Sequence, residues 1–138
     1  MAATQPRKTP TRDNWRHPVL GFVQKAGTVI YKGTMAMHVA GVWQPADSGV
    51  NGAIYGGIAE ETYDARTAGA DQTYATPMVF KRVPASFDGK SGDLPTATNL
   101  GDLIAVEDET TVKATAVSHD VMLRLLEIEG SRYWVEPA

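Results

Sequence analysis

The chain has 138 residues, the length of one ordinary domain, and its 13 Lys+Arg against 16 Asp+Glu argue against a general nucleic-acid binder. It has no cysteine, which excludes disulfides, thiolate metal sites and Cys nucleophiles together. Hydrophobic residues at 43% and charged residues at 21% predict a folded chain, no apolar run approaches the ~20 residues of a membrane span, and residues 1–10 lack the apolar stretch of a signal peptide.

Charge is unevenly spread. Residues 1–17 hold Arg7, Lys8, Arg12 and Arg16 against Asp13, a local charge of +3 that leaves −6 on the remainder. Apart from Met1 their only large apolar residue is Trp15, too little apolar surface to offset the entropy of ordering the segment alone. The expectation is an extended basic N-terminal arm over residues 1–17, followed by one β-rich domain over 18–138. At ~3.3 Å per residue the arm spans roughly 50 Å, several times the ~14 Å radius of gyration of a compact domain of this length. Arg7, Lys8, Arg12, Trp15 and Arg16 are therefore the candidate binding residues. A lone Trp among cations is suited to fill a partner's pocket.

From residue 19 onward, short apolar runs alternate with Gly, Pro, Asn and Asp, the pattern of many short strands. Residues 28–32 (TVIYK) are β-branched and aromatic, with a turn at Gly33-Thr34. Met35, Met37 and Val39 share one parity and Ala36 and His38 the other, predicting a strand with two unlike faces. Val42-Trp43 continues as strand, and residues 44–52 read as loop. Residues 54–61 (IYGGIAEE) read as a strand in which Gly56-Gly57 marks a bulge or a close backbone approach. A loop over 64–72 precedes a longer strand over 73–83, where Pro77 implies an edge or a bulge. Residues 87–98 are turn-rich, and 103–106 form a short strand ending in Glu107-Asp108-Glu109. Residues 113–128 satisfy two periods: Val117, Val121, Leu125 and Ile128 at helical spacing, or Val121, Leu123 and Leu125 alternating with a slip to Leu126. The turn at 130–132 and the following Tyr133-Trp134 favour a terminal hairpin of strands over 121–129 and 133–136. The predicted class is all-β, an antiparallel jelly-roll-like sandwich or small barrel with an extended N-terminal arm.

Catalytic and metal constellations do not assemble from these residues. Ser118-His119-Asp120 are adjacent, whereas triad members converge from distant positions, so a polar turn is expected. His17, His38 and His119 lack HxH or HExxH spacing; a cupin-like metal site at His38 and His119 is a possibility that elemental analysis decides. Glu60-Glu61 with Asp64, and Glu107-Asp108-Glu109, lack the ligand spacing of calcium loops and read as solvated acidic edges. No phosphate-binding glycine loop or nucleophile elbow occurs. The expectation is no enzyme, no cofactor and no metal.

Residues 26–35 (AGTVIYKGTM), 39–46 (VAGVWQPA), 56–61 (GGIAEE), 100–108 (LGDLIAVED) and 130–136 (GSRYWVE) together resemble the capsid cement, or head-decoration, proteins of tailed bacteriophages. The resemblance is one of rhythm across residues 26–136. It implies a β-rich domain, often a jelly roll, displayed on the virion exterior, where it bridges subunits of the major capsid protein. Dimers and trimers both occur in that family; a homodimer is favoured here, with no nucleic acid and no membrane as partner. The basic arm has no counterpart in the resemblance and rests on charge alone. The alternative is a carbohydrate- or receptor-binding jelly-roll module with Trp43 and Tyr55 as stacking platforms beside loop 44–52.

Overall fold

The computed structural model describes residues 6, 17–19, 22–74 and 78–138. Strands follow one another with short turns, and the only helix among the described residues is a single 3-10 turn at Ala97–Asn99. The described residues form three sheets.

The largest has seven strands. It is built from β1 (His17–Val19), β2 (Val23–Gln24), β4 (Met35–Val39), β5 (Val42–Pro45), β6 (Ala53–Ala59), β8 (Gln72–Thr73) and β9 (Met78–Lys81), in the order β1-β9-β6-β4-β5-β2-β8. Between these in the chain, β3 (Val29–Ile30) and β7 (Tyr63–Asp64) pair as a separate two-stranded ribbon. The C-terminal half closes into a five-stranded barrel of β10 (Ala85–Gly89), β11 (Leu103–Asp108), β12 (Thr111–Lys113), β13 (Met122–Glu129) and β14 (Arg132–Pro137). Around the barrel the order is β10-β12-β11-β13-β14, and β14 returns to pair with β10. The all-β class with a small barrel is the predicted one. Two pairings, β2–β5 and β10–β12, are parallel, against an otherwise antiparallel pattern.

The sheet has two buried faces, as the alternation at 35–39 implies. Met35, Met37, Tyr55 and Ile58 join Phe87, Ile104, Val106, Val112, Leu123, Leu125 and Val135 in one core that runs from the sheet into the barrel. Ala36, Trp43 and Phe80 face the other way and meet Phe22, Ile30 and Tyr63 in a second, aromatic core. There Trp43 stacks on Phe80 with centroids 4.4 Å apart, and Phe22 lies 5.5 Å from Trp43. Each fully buried side chain of this size contributes about 1.5–3 kcal/mol of transfer free energy.

Residues 113–128 contain no helix: β12 ends at Lys113, residues 114–121 are turn and loop, and β13 starts at Met122. Val121, Leu123 and Leu125 alternate into the core, while Val117, which a helical stripe would bury, is 55% exposed. The predicted slip is a bulge: the β13–β14 register shifts between Leu125 and Glu127. Residues 85–89 are strand, so the predicted turn-rich segment begins later than expected, because Phe87 is drawn into the barrel core. The long strand expected over 73–83 divides into β8 and β9, and Pro77 lies outside the described residues.

The Gly56-Gly57 pair serves both expected purposes. The β4–β6 register shifts between Ala36 and Met37, where Gly57 and then Tyr55 are the partners, so Gly56 is the extra residue of a bulge. A Cβ on Gly56 would fall 2.1 Å from Cζ3 of Trp43, and Gly57 sits at φ +111°. The indole thus occupies the space a side chain would need. We expect Gly56→Ala to force Trp43 off Phe80 and to cost on the order of 1–3 kcal/mol, read as a lower thermal midpoint together with a shifted Trp emission.

Candidate functional site

The predicted binding residues Arg7, Lys8, Arg12, Trp15 and Arg16 lie outside the described residues. The first strand after them is β1, which stands at the outer edge of the seven-stranded sheet and pairs with β9 through His17–Phe80, Pro18–Val79 and Val19–Met78. The basic segment therefore joins the body at a strand edge, the part of a sheet most open to further backbone pairing.

A second surface lies on the outside of the barrel. Register places Leu103 beside Arg124, and Arg124 beside Glu136, in one row across β11, β13 and β14. Leu103 is 44% exposed, and Leu100 and the bulged Leu126 are exposed to a similar degree. Arg124 donates to the carbonyl of Gly101, which fixes the turn carrying Leu100. Leucines at this exposure next to charged residues give the wall an apolar character suited to contact with another surface.

The most constrained polar arrangement joins the two halves of the fold. Lys113, at the end of β12, is only 3% exposed. Its Nζ lies 3.1 Å from Asp120 Oδ2 and 3.3 Å from Glu107 Oε1, and donates to Ser48 Oγ at 2.8 Å. Asp120 Oδ1 accepts the Ser48 hydroxyl at 2.9 Å and the Gly49 N–H at 2.6 Å, while Oδ2 accepts the Val117 N–H at 2.7 Å. Glu107 also pairs with Lys90 at 2.8 Å. Nearby, an isolated bridge joins Asp47 to Asp108, and the Met35 N–H donates to the Glu109 carbonyl at 2.8 Å. Loop 46–52 of the sheet is thus held to the barrel through charge and backbone at once.

Burial raises the Asp120 carboxyl, but the Val117 N–H, Lys113, the Gly49 N–H and Ser48 together outweigh it and hold the group below its ordinary 3.8. Lys90 holds Glu107 below its ordinary 4.5, against burial and with help from Lys113.

This cluster is not legible in the sequence. Glu107-Asp108-Glu109 was expected as a solvated edge, yet Asp108 and Glu109 are buried. The reason is that β11 runs on through Asp108 and its turn is enclosed by the sheet's loop. Asp108 Oδ1 accepts both the N–H and the hydroxyl of Thr110, at 2.9 and 3.1 Å. Ser118-His119-Asp120 is the polar turn expected, with His119 at φ 68° and Asp120 turned inward. No local signal marks it, because a lysine following the apolar Val112 in a strand reads as an outward-facing residue, whereas all of β12 is buried.

Other candidates fall elsewhere. Trp43 is 6% and Tyr55 8% exposed, so the stacking platforms expected of a glycan-binding module are corrected: both rings belong to the cores. His38 packs tilted against Trp43, with ring centroids 4.7 Å apart, and burial, with Arg82 adding to it, lowers its pKa below 6.5. Glu60 pairs with Lys81 at 3.6 Å, and Asp64 with Arg66 at 2.7 Å. Among the described residues, no group of three or more His, Asp or Glu is arranged to hold a metal, and no helix is long and apolar enough to cross a membrane. Comparison of the chain with family models, characterised proteins and solved structures found no match.

Removing one partner of a buried ion pair strands the other. We expect Asp120→Ala to destabilise the fold by about 3–5 kcal/mol, measured by denaturant unfolding. The Glu107 carboxyl is depressed in the fold, so its contribution is complete above its ordinary range and is lost as pH falls through the depressed value. Glu107→Gln should therefore flatten the acid limb of the stability–pH curve below about pH 4.5, followed by thermal melts across pH.

Proposed function

We propose that the chain is a structural virion protein that binds the outside of a phage head and cements neighbouring subunits of the major capsid protein. It works by adhesion rather than by turnover, and a homodimer spanning a subunit boundary is the favoured form. The observation that carries this reading is the junction of a +3 segment, bearing the lone Trp15, with an edge strand of a body charged −6. Such a segment reaches a neighbouring molecule while the body stays rigid. The phage-decoration resemblance across residues 26–136 supplies the identity of that neighbour. The closed barrel, the continuous core and the leucine-bearing wall are consistent with a protein whose work is to hold. Many copies on one shell act together, so each contact can be modest.

Deleting residues 1–16 is expected to abolish binding to undecorated capsids while leaving the circular dichroism spectrum and thermal midpoint of the body unchanged. Replacing Arg7, Lys8, Arg12 and Arg16 with Gln should weaken binding by about 0.2–1 kcal/mol per charge and remove much of its salt dependence. Trp15→Ala should cost roughly 2 kcal/mol or more, as for a pocket-filling anchor. Unchanged affinity of the truncated protein in a capsid pull-down or by surface plasmon resonance overturns the assignment of the arm.

A further inference from the structure

We propose that the folded chain joins Lys113 to Asp120 through an intramolecular amide bond, with Glu107 carrying the protons. This rests on the geometry of the cluster and not on the capsid reading. The reaction needs an amine, a carboxyl group, a base and exclusion of water, and all four coincide at the end of β12.

Lys113 Nζ and Asp120 Oδ2 are 3.1 Å apart, with side chains 4% and 0% exposed. Two groups held this close in fixed orientation no longer require a bimolecular encounter. Glu107 Oε1, 3.3 Å from the same nitrogen, is within reach of the proton the amine must lose. The carboxyl oxygen on the far side, Oδ1, receives the Gly49 N–H at 2.6 Å and the Ser48 hydroxyl at 2.9 Å. Paired donors at that atom stabilise the negative charge that develops when a nucleophile adds to the carboxyl carbon.

The balance is complete within the protein. The Lys113 nitrogen adds to the Asp120 carboxyl carbon and charge moves onto Oδ1. Two of the three ammonium hydrogens pass by way of Glu107 to Oδ2, the bond from carbon to Oδ2 breaks, and one water leaves. The nitrogen keeps one hydrogen as an amide N–H, which donates to Glu107, and Glu107 ends ionised as it began. No oxidant, cofactor or second substrate enters. The ion pair is the reactant state, and the same donors that favour the carboxylate make the step slow, so it follows folding rather than accompanying it. The product closes a ring over residues 113–120 and fixes β12 to the turn that clasps Ser48 and Gly49.

Intact mass spectrometry of the denatured full-length chain tests this directly. The protein is expected to weigh less than its sequence by one water, and trypsin should leave the bond after Lys113 uncut and release residues 91–124 as one looped peptide, lighter by one water. Lys113→Arg and Glu107→Gln are expected at full mass, with native circular dichroism. If Glu107→Gln does not fold, Glu107→Asp replaces it and should accumulate the lighter species more slowly than the wild type. A folded wild-type protein that stays at full mass after prolonged incubation overturns the proposal, leaving an ion pair only. A water loss that maps to Asp88-Gly89, as a succinimide there would give, overturns it equally. A folded Glu107→Gln chain that still carries the cross-link overturns the role of Glu107.

Discussion

The structure depends on a core that belongs to neither of its halves alone. Met35, Met37, Tyr55 and Ile58 leave the seven-stranded sheet on one face and meet Phe87, Ile104, Leu123 and Val135 from the barrel. Removing that contact would expose apolar side chains on both sides, so the sheet supports the barrel and the barrel covers the sheet. The opposite face of the sheet is closed by a different device, a set of aromatic rings around Phe22, Trp43 and Phe80. The two faces share β4, whose alternation therefore governs the whole arrangement.

At the margin of this shared core the chain places charge rather than hydrocarbon. Burying Lys113 is costly unless every one of its protons finds an acceptor, and Asp120, Glu107 and Ser48 supply them. A hydrophobic contact would tolerate sliding. Hydrogen bonds from Ser48 and Gly49 to a single carboxylate do not, so the loop from the sheet is held in one position against the barrel.

Much of the architecture was readable from local pattern. Alternation at 35–39 identified the two-faced strand, and the slip at Leu126 anticipated the β13 bulge. The Gly56-Gly57 pair marked both a bulge and the approach of Trp43. These succeed because strand periodicity and glycine geometry act over a few residues. The failures are all long-range. Nothing in residues 107–109 reveals that the sheet will enclose them, because the bridge from Asp47 to Asp108 joins residues far apart in the sequence. The parallel pairing of β10 with β12 is equally invisible, since it depends on which strand fills the gap left by closure. Trp43 and Tyr55 looked available for stacking only while their neighbours in space were unknown. The five arm residues lie outside the described residues, and their assignment rests on charge and composition.

Closure of the barrel also has a kinetic side. Residues 85–87 of β10 pair with residues 133–135 of β14, far along the chain from them. During synthesis on the ribosome, the barrel cannot shut until residues 133–135 have emerged, and its apolar lining waits open until then. Long-range pairing of this kind slows folding. A chain that stops short of β14 therefore presents a sticky interior to chaperones and proteases, and synthesis through β14 becomes the checkpoint that separates closed barrels from open ones.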